Sequence, residues 1–372
     1  MQKFKIVISD CHLSAGQFFE GRLNAHEDFK FDNEMCEFFE YFSTGVYGDG
    51  PDGPVEVELF INGDFLDFLN VPYYGEFEDV ITEEISLFKV EAIMAGHRKV
   101  MEGLRRFASK PNKKITYLIG NHDADLFFRK VRERITREWD PKGEFPSEKV
   151  TLIAHTDRVR YEGGVEIHHG NQFEAVHVLS FEKPVLKNFL DKPVLNIPWG
   201  SFYVLKIVNR LKGEREFLDK VRPIKVFVLF GLLFDPWFTI RYVVLSVFYF
   251  LKTRFVYNPR RRSRIKVTLE ILKQETNFLQ DLERPARKHL DQEPDVQTII
   301  FGHTHKPMNK VYPDGKQYIN TGTWTKMINL DLRNLGQQYC LSFAFIKIEN
   351  GKAECDLRHW IGEHSPHRSF QN

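Results

Sequence analysis

Val296-Gln297-Thr298-Ile299-Ile300-Phe301-Gly302-His303-Thr304-His305 reads as an apolar strand that runs out into a glycine and two histidines. Two imidazoles two positions apart at a strand end can be aimed at one point, and imidazole is the commonest metal-binding side chain. A lone His-x-His pair is a weak signal, because surface histidines fall two apart by coincidence. Its weight depends on what the other strand ends deliver.

Working outward, the same arrangement recurs. Lys5 to Ser9 reads as a short β-branched strand and ends in Asp10-Cys11-His12. Val55 to Ile61 runs into Asn62-Gly63-Asp64-Phe65-Leu66-Asp67, and Lys113 to Ile119 into Gly120-Asn121-His122-Asp123. Further strands are expected at Val150 to Ala154, Arg158 to Tyr161 and Val165 to His168, the last delivering His168-His169-Gly170-Asn171. Between them, helical patterns cover Glu34 to Phe42, Glu83 to Phe107 and Asp125 to about Trp139. The Gly-, Pro- and Asp-rich run from Thr44 to Pro54 is a surface loop. After the His-x-His loop, a hairpin through Pro313-Asp314-Gly315 and strands at Tyr339 to Ile348 and Ala353 to Trp360 close the pattern. Strand, polar loop, helix in repetition is the habit of α/β enzymes, whose ligands gather outside the carboxyl ends of the strands.

The chain has 372 residues, 42% hydrophobic and 28% charged, with a net charge of +1. That describes a globular protein with a sizeable core and gives no global field for nucleic acid. Cys11, Cys36, Cys340 and Cys355 show no CxxC spacing, which speaks against a zinc ribbon or disulfide framework and fits a reducing cytosol. The N-terminus enters a strand at once, with no signal-peptide pattern.

From about Phe173 to Pro294 the character changes. Ile224 to Leu251 is almost wholly apolar and aromatic but is interrupted by Lys225, Asp235-Pro236 and Arg241, so two short helices with a turn at Asp235-Pro236 fit better than one membrane-spanning helix. Residues 206–266 carry 15 Lys or Arg against four Asp or Glu, densest at Arg260-Arg261-Arg262-Ser263-Arg264. Apolar helices followed by clustered cations suit a protein lying on an anionic membrane surface. A buried helical hairpin with a solvated basic face is the plainer reading of the same residues. Thr268 to Leu282 reads as an ordinary amphipathic helix, and the tail from 363 to 372 as loose and polar.

Taken together, Asp10-Cys11-His12, Gly63-Asp64-Phe65-Leu66-Asp67, Gly120-Asn121-His122-Asp123, His169-Gly170 and Gly302-His303-Thr304-His305 resemble the calcineurin-like metallophosphoesterase superfamily, with its D-x-H, G-D-x-x-D, G-N-H-D/E, H and G-H-x-H blocks. The resemblance covers residues 1–173 and 294 to about 360. It implies a four-layer αββα sandwich with residues 174–293 inserted as a helical lid, the catalytic part being 1–173 and 294–362. It also implies two divalent cations, most simply Mn, with Fe or Zn possible. Asp10, His12 and His305 would hold one, Asn121, His169 and His303 the other, and Asp64 would bridge them. Imidazole with carboxylate and amide oxygen suits these ions better than Mg or Ca. His122 would meet the phosphate or protonate the leaving oxygen, oriented by Asp123, while Asp67 would be a supporting carboxylate. His168 is the alternative to His169, since neighbouring strand residues face opposite ways. Cys11 should point away from the site.

Within the superfamily the chain is similar to the UDP-2,3-diacylglucosamine pyrophosphohydrolase group, through Ser9-Asp10-x-His12-Leu13, His169-Gly170-Asn171-Gln172-Phe173, Gly302-His303-Thr304-His305-Lys306-Pro307 and Asn320-Thr321-Gly322-Thr323-Trp324. That group carries arginine at the place of His122 and aspartate at that of Asn171. The expectation is a phosphohydrolase acting on a lipid-linked phosphodiester or pyrophosphate, with Asn171, His122, Arg260, Arg261 and Arg262 meeting substrate. The chain would be cytoplasmic and peripheral on the inner face of the membrane, without a nucleic-acid partner. A hydrolase of soluble nucleotides or phosphoproteins, with the insertion as a packed cap, is the alternative. An inactive binding scaffold of the same fold is the third, and filled ligand positions speak against it.

Overall fold

The structure is a computed structural model. It describes residues 3–48, 53–146, 148–187, 192–216, 218, 220–222, 224–255, 282–329, 336–362 and 367–369.

Two sheets form the centre. The first is built from β1 (Lys3–Ile8), β2 (Glu56–Asn62), β3 (Lys113–Leu118), β4 (Val150–Ile153), β10 (Ser342–Glu349), β11 (Lys352–Trp360) and β12 (His367–Ser369), in the order β12-β11-β10-β1-β2-β3-β4. The second is built from β5 (Arg158–Tyr161), β6 (Val165–His168), β7 (Thr298–Phe301), β8 (Met308–Val311) and β9 (Gln317–Asn320), in the order β8-β9-β7-β6-β5. Strands β1 to β4 run parallel, and so do β6, β7 and β9. β1, β2 and β3 are buried nearly end to end, as parallel strands covered on both faces must be.

The covering follows the two-residue pleat. Val7, Phe60 and Leu118 point inward against Ile167, Ile300 and Ile319 of the second sheet. Their neighbours Ile6, Ile8, Leu59, Ile61, Ile115 and Tyr117 point outward into a core shared with α1 (Asp32–Tyr41), α2 (Glu83–Gly96), α3 (Arg98–Ser109) and α4 (Arg129–Trp139). On the far side, Ile299, Phe301 and Tyr318 meet Ala286 and Leu290 of α7 (Glu283–Gln292). Helices, sheet, sheet and helix therefore stack as four layers. Helix α7 lies within the span assigned to the insertion, yet it supplies the outer layer of the second sheet.

Three expectations need correcting. The single helix from Glu83 to Phe107 is two helices, broken at His97, whose backbone turns out of helical geometry while its side chain is held between Glu27 and Asp32. The helix expected from Asp125 starts as a 3-10 turn, Ala124–Phe127, before α4. The loose tail contributes the edge strand β12, paired antiparallel to β11. The helix expected at 268–282 lies outside the described residues except for Leu282, as do Arg260, Arg261, Arg262 and Arg264.

The segment that the sequence reading assigns to an insertion is tied to the sandwich by polar contacts. Lys212 and Lys220 share Asp28 at 2.7 and 2.6 Å, Lys206 meets Asp79 at 2.7 Å, and Asn209 donates to the Leu69 carbonyl at 2.8 Å. Its two apolar helices, α5 (Ile224–Phe234) and α6 (Pro236–Phe255), turn at Asp235-Pro236 as the sequence predicts. One face of α6, with Phe238, Tyr242, Leu245 and Tyr249, packs on Ile207 and Leu211. The other carries Ile240, Val244, Val247, Phe248 and Leu251 into solvent. No described helix is long and apolar enough to cross a membrane.

Candidate metal centre

Register puts the strand ends level. Ile8 pairs with Ile61, Asn62 with Leu118, Ile167 with Ile300 and Phe301 with Asn320, so the loops that follow β1, β2, β3, β6, β7 and β9 leave from one edge of the sandwich. That edge is where the polar residues gather.

The loops are bent to an unusual degree. Asp10, His12, Asp64, His303 and His305 all hold left-handed backbone, with φ of 52°, 53°, 50°, 68° and 61°. Each such residue costs roughly 1 kcal/mol against an extended one. Strain of this kind collects where side chains must be aimed at a common point. Close approach explains two of the motif glycines: a Cβ on Gly63 would strike the His169 ring, and one on Gly120 would strike the Asp64 carboxylate.

Two donor sets result. Asp10, His12 and His305 bring one ligand atom each within 4.8 Å of one another, and so do Asp64, His169 and His303. In the first, His12 Nε2 lies 3.0 Å from His305 Nε2, and His305 Nε2 lies 3.3 Å from Asp10 Oδ1. In the second, His169 Nε2 is 3.2 Å from Asp64 Oδ2. Asn121 is buried beside this set. His168 turns the other way, to Glu166 and Gln172, so the pleat assigns the inward position to His169. Cys11 is fully buried, with its thiol 3.7 Å from the Ser9 carbonyl.

Hydrogen bonds fix which ring nitrogens face inward. His12 Nδ1 is 2.9 Å from Asp67 Oδ2, His122 Nδ1 is 3.0 Å from Asp67 Oδ1, and His169 Nδ1 is 2.8 Å from the Asn62 carbonyl. Each contact ties Nδ1 and leaves Nε2 as the nitrogen available to the site. Asp10 is held by Ser9 and by the His303 amide at 2.8 Å, and Asp64 Oδ1 accepts from the His122 amide at 2.8 Å.

Asp67, expected as a supporting carboxylate, thus holds both His12 and His122. Asp123, expected to orient His122, does not touch its ring. It accepts from the Tyr117 hydroxyl at 2.5 Å, the Phe65 amide at 3.2 Å and the Gly120 amide, and so fastens the loops beneath the site. Asn171, expected at the substrate, is buried and donates to the His177 carbonyl at 2.9 Å. Glu174 and His177 were not expected at all. Glu174 Oε2 lies 3.0 Å from His303 Nε2, and the His177 ring packs on His303 at 5.0 Å. Neither belongs to a block with metal-ligand spacing, so no local signal marked them.

The electrostatics follow from this crowding. Burial alone would push the Asp10, Asp64 and Asp67 carboxyls up, yet the surrounding imidazoles outweigh it and hold all three below their ordinary range. Burial opposes charge on His169 and His122 as well, but the facing carboxylates carry them up to about 10 and about 9. Asp123 is raised to about 7 by burial and by Asp64.

The donor sets fit divalent metal on one observation in particular. Asp10 Oδ1, Asn121 Oδ1 and His169 Nε2 are buried without a well-aligned hydrogen bond, the first and last having only a facing group of the same sets, His305 Nε2 at 3.3 Å and Asp64 Oδ2 at 3.2 Å. Buried polar atoms are almost always paired, and unpaired oxygen and nitrogen atoms within and beside the Asp/His sets are what a bound cation would satisfy. Carboxylate, imidazole and amide donors together suit Mn, Fe or Zn.

No family model matches the chain, and no curated protein matches it. Among solved structures, a conserved uncharacterized protein from Streptococcus pneumoniae TIGR4, described as a predicted phosphoesterase, aligns at 11% identity over 100% of this chain and 99% of its own, with a TM-score of 0.29. Vacuolar Protein Sorting 29 from Cryptosporidium parvum aligns at 12% identity over 100% and 97%, with a TM-score of 0.33. A mutant cold-active protein tyrosine phosphatase aligns at 14% identity over 99% and 80%, with a TM-score of 0.30. At such scores the likeness adds nothing to what the strand order and side chains of this chain show.

Proposed function

We propose that this chain is a metal-dependent phosphohydrolase that cleaves a phosphodiester or pyrophosphate bond. Asp10, His12 and His305 would hold one divalent cation, Asn121, His169 and His303 a second, and Asp64 would bridge them. The three buried donor atoms without well-aligned hydrogen bonds carry the reading. The five blocks shared with calcineurin-like metallophosphoesterases support it.

Held by these residues, the cations would supply polarisation of a phosphoryl oxygen and a lowered pKa for water. The chain's own residues supply the remainder. His122 is anchored at Nδ1 by Asp67, which leaves Nε2 to give a proton to the departing oxygen. Asp67, fully buried, fixes the tautomers of His122 and His12 together. The Asp64 carboxylate is kept ionised by the imidazoles around it.

The substrate we infer is lipid-linked, of the kind of a UDP-diacylglucosamine, met by a chain peripheral on the cytoplasmic face of an anionic membrane. The exposed apolar face of α5 and α6, with Leu233, Phe234, Trp237, Val244 and Phe248 in solvent, supports this, as does the excess of cations in 206–266 beyond Lys206, Lys212 and Lys220, which bind Asp79 and Asp28 of the sandwich. A helix apolar on both faces is ordinarily buried on both.

Hydrolysis of bis(p-nitrophenyl) phosphate tests the chemistry. Protein stripped of metal should be inactive and regain activity on Mn. His169→Ala should lose at least about 100-fold in kcat while His168→Ala stays within a few-fold of the parent. Equal activity with and without chelator overturns the proposal.

A further inference from the structure

The two donor sets are braced differently. The first is held from within the strand-end loops, with His12 on Asp67 and Asp10 on Ser9 and the His303 amide. The second is held in part from the insertion. His303 Nε2 faces Glu174 Oε2 at 3.0 Å, and Ser201 Oγ donates to the carbonyl of Asn121 at 3.3 Å.

Glu174 follows the short turn Asn171–Phe173 that ends the catalytic strand β6 and opens the insertion. It is locked from several sides. His177 Nε2 lies 3.7 Å from the same carboxylate oxygen, its ring packs on His303, and its carbonyl is bonded to Asn171. The same ring leaves no room for a Cβ on Gly200, directly before Ser201. Glu174, His177, Gly200 and Ser201 are therefore one packed unit pressed against two members of the second set, His303 and Asn121.

An imidazole has two ring nitrogens, and a carboxylate that takes the proton of one fixes the other as the cation's ligand and raises its basicity. We propose that Glu174 is the positioning residue of the second cation site: by accepting the Nε2 proton of His303 it makes binding of that ion depend on a seated insertion, while the first ion is held without it. This rests on the dinuclear reading above.

The test uses the full chain, stripped of metal and titrated with Mn by calorimetry, with electron paramagnetic resonance as a second readout. The parent should take two ions and show an exchange-coupled signal. Glu174→Ala should keep the affinity of the first ion within about twofold and lose about 10–100-fold for the second, with an isolated-Mn signal at one ion per chain. Glu174→Gln, whose amide oxygen still accepts, should fall between. Equal weakening of both ions, or of neither, overturns the proposal. A third ion in the parent that disappears in Glu174→Ala also overturns it, since Glu174 would then be a ligand itself. A parent that binds fewer than two ions overturns the dinuclear reading along with it.

Discussion

Asp67 and Asp123 are both buried carboxylates that end a motif block, and the sequence reading assigns His122 to Asp123. The structure separates them by what they touch: Asp67 takes the Nδ1 protons of His12 and His122, while Asp123 takes a phenol and two amides. Substitution should therefore split kinetics from stability. Asp67→Asn should lower kcat on bis(p-nitrophenyl) phosphate by about 100-fold, the scale expected when the partner of a working imidazole is removed. Asp123→Asn should leave kcat within a few-fold and instead cost about 1–3 kcal/mol in urea unfolding, because an amide cannot accept all three bonds. If Asp123→Asn lowers kcat as far as Asp67→Asn does, the assignment of His122 to Asp67 is wrong.

The break between α2 and α3 shows how one element is fixed by contacts remote in sequence. Thr82 caps α2 through the Ile85 amide, and apolar periodicity runs on to Phe107 with no Pro to stop it. The helix ends at Gly96 because His97 is drawn between Glu27 at 3.1 Å and Asp32 at 2.9 Å, while Gly96 lies so close to Ala15 and Gly16 that a Cβ would strike their backbone. Burial disfavours the charged imidazole of His97, but its two carboxylates outweigh this and raise its pKa from 6.5 to about 9. A folded-state pKa above the unfolded one means stability that is complete below about pH 6.5 and lost as pH climbs through 9. Unfolding in urea at pH 6, 7.5 and 9 should show this loss, on the order of 3 kcal/mol. His97→Gln should flatten that part of the profile; an unchanged slope in the variant would place the titrating group elsewhere.

At the scale of the whole molecule, the two sheets of the sandwich bury their apolar faces between helices, while the hairpin of α5 and α6 leaves one apolar face in solvent. Phe234 and Trp237, at its turn, are 81% and 84% exposed. Contiguous apolar surface of this kind marks an interaction site. Wild-type protein should sediment with phosphatidylglycerol vesicles at low salt and less so at 0.5 M, where the contribution of the cations is screened (a Debye length of about 4 Å leaves only close contacts). The pair Phe234→Ser and Trp237→Ser should weaken binding by at least about tenfold, given roughly 1.5–3 kcal/mol per buried side chain, with little change in melting temperature. No sedimentation of wild type at low salt would remove the lipid reading and leave the soluble alternative.

The sequence by itself determined most of the strands and the chemistry at their ends: apolar runs, polar loops after them, and the residue types of Asp10, His12, Asp64, Asn121, His169, His303 and His305. These are local properties, set by side-chain period and by ligand chemistry within a few residues. Only the tertiary structure decided which carboxylate serves which imidazole, that five of these residues hold left-handed backbone, that the long helix breaks at His97, and that Glu174 reaches His303. The carboxylate pairings of His12 and His122, the break at His97 and the reach of Glu174 depend on groups 55 to 129 positions apart, and no spacing along the chain encodes where such groups will touch.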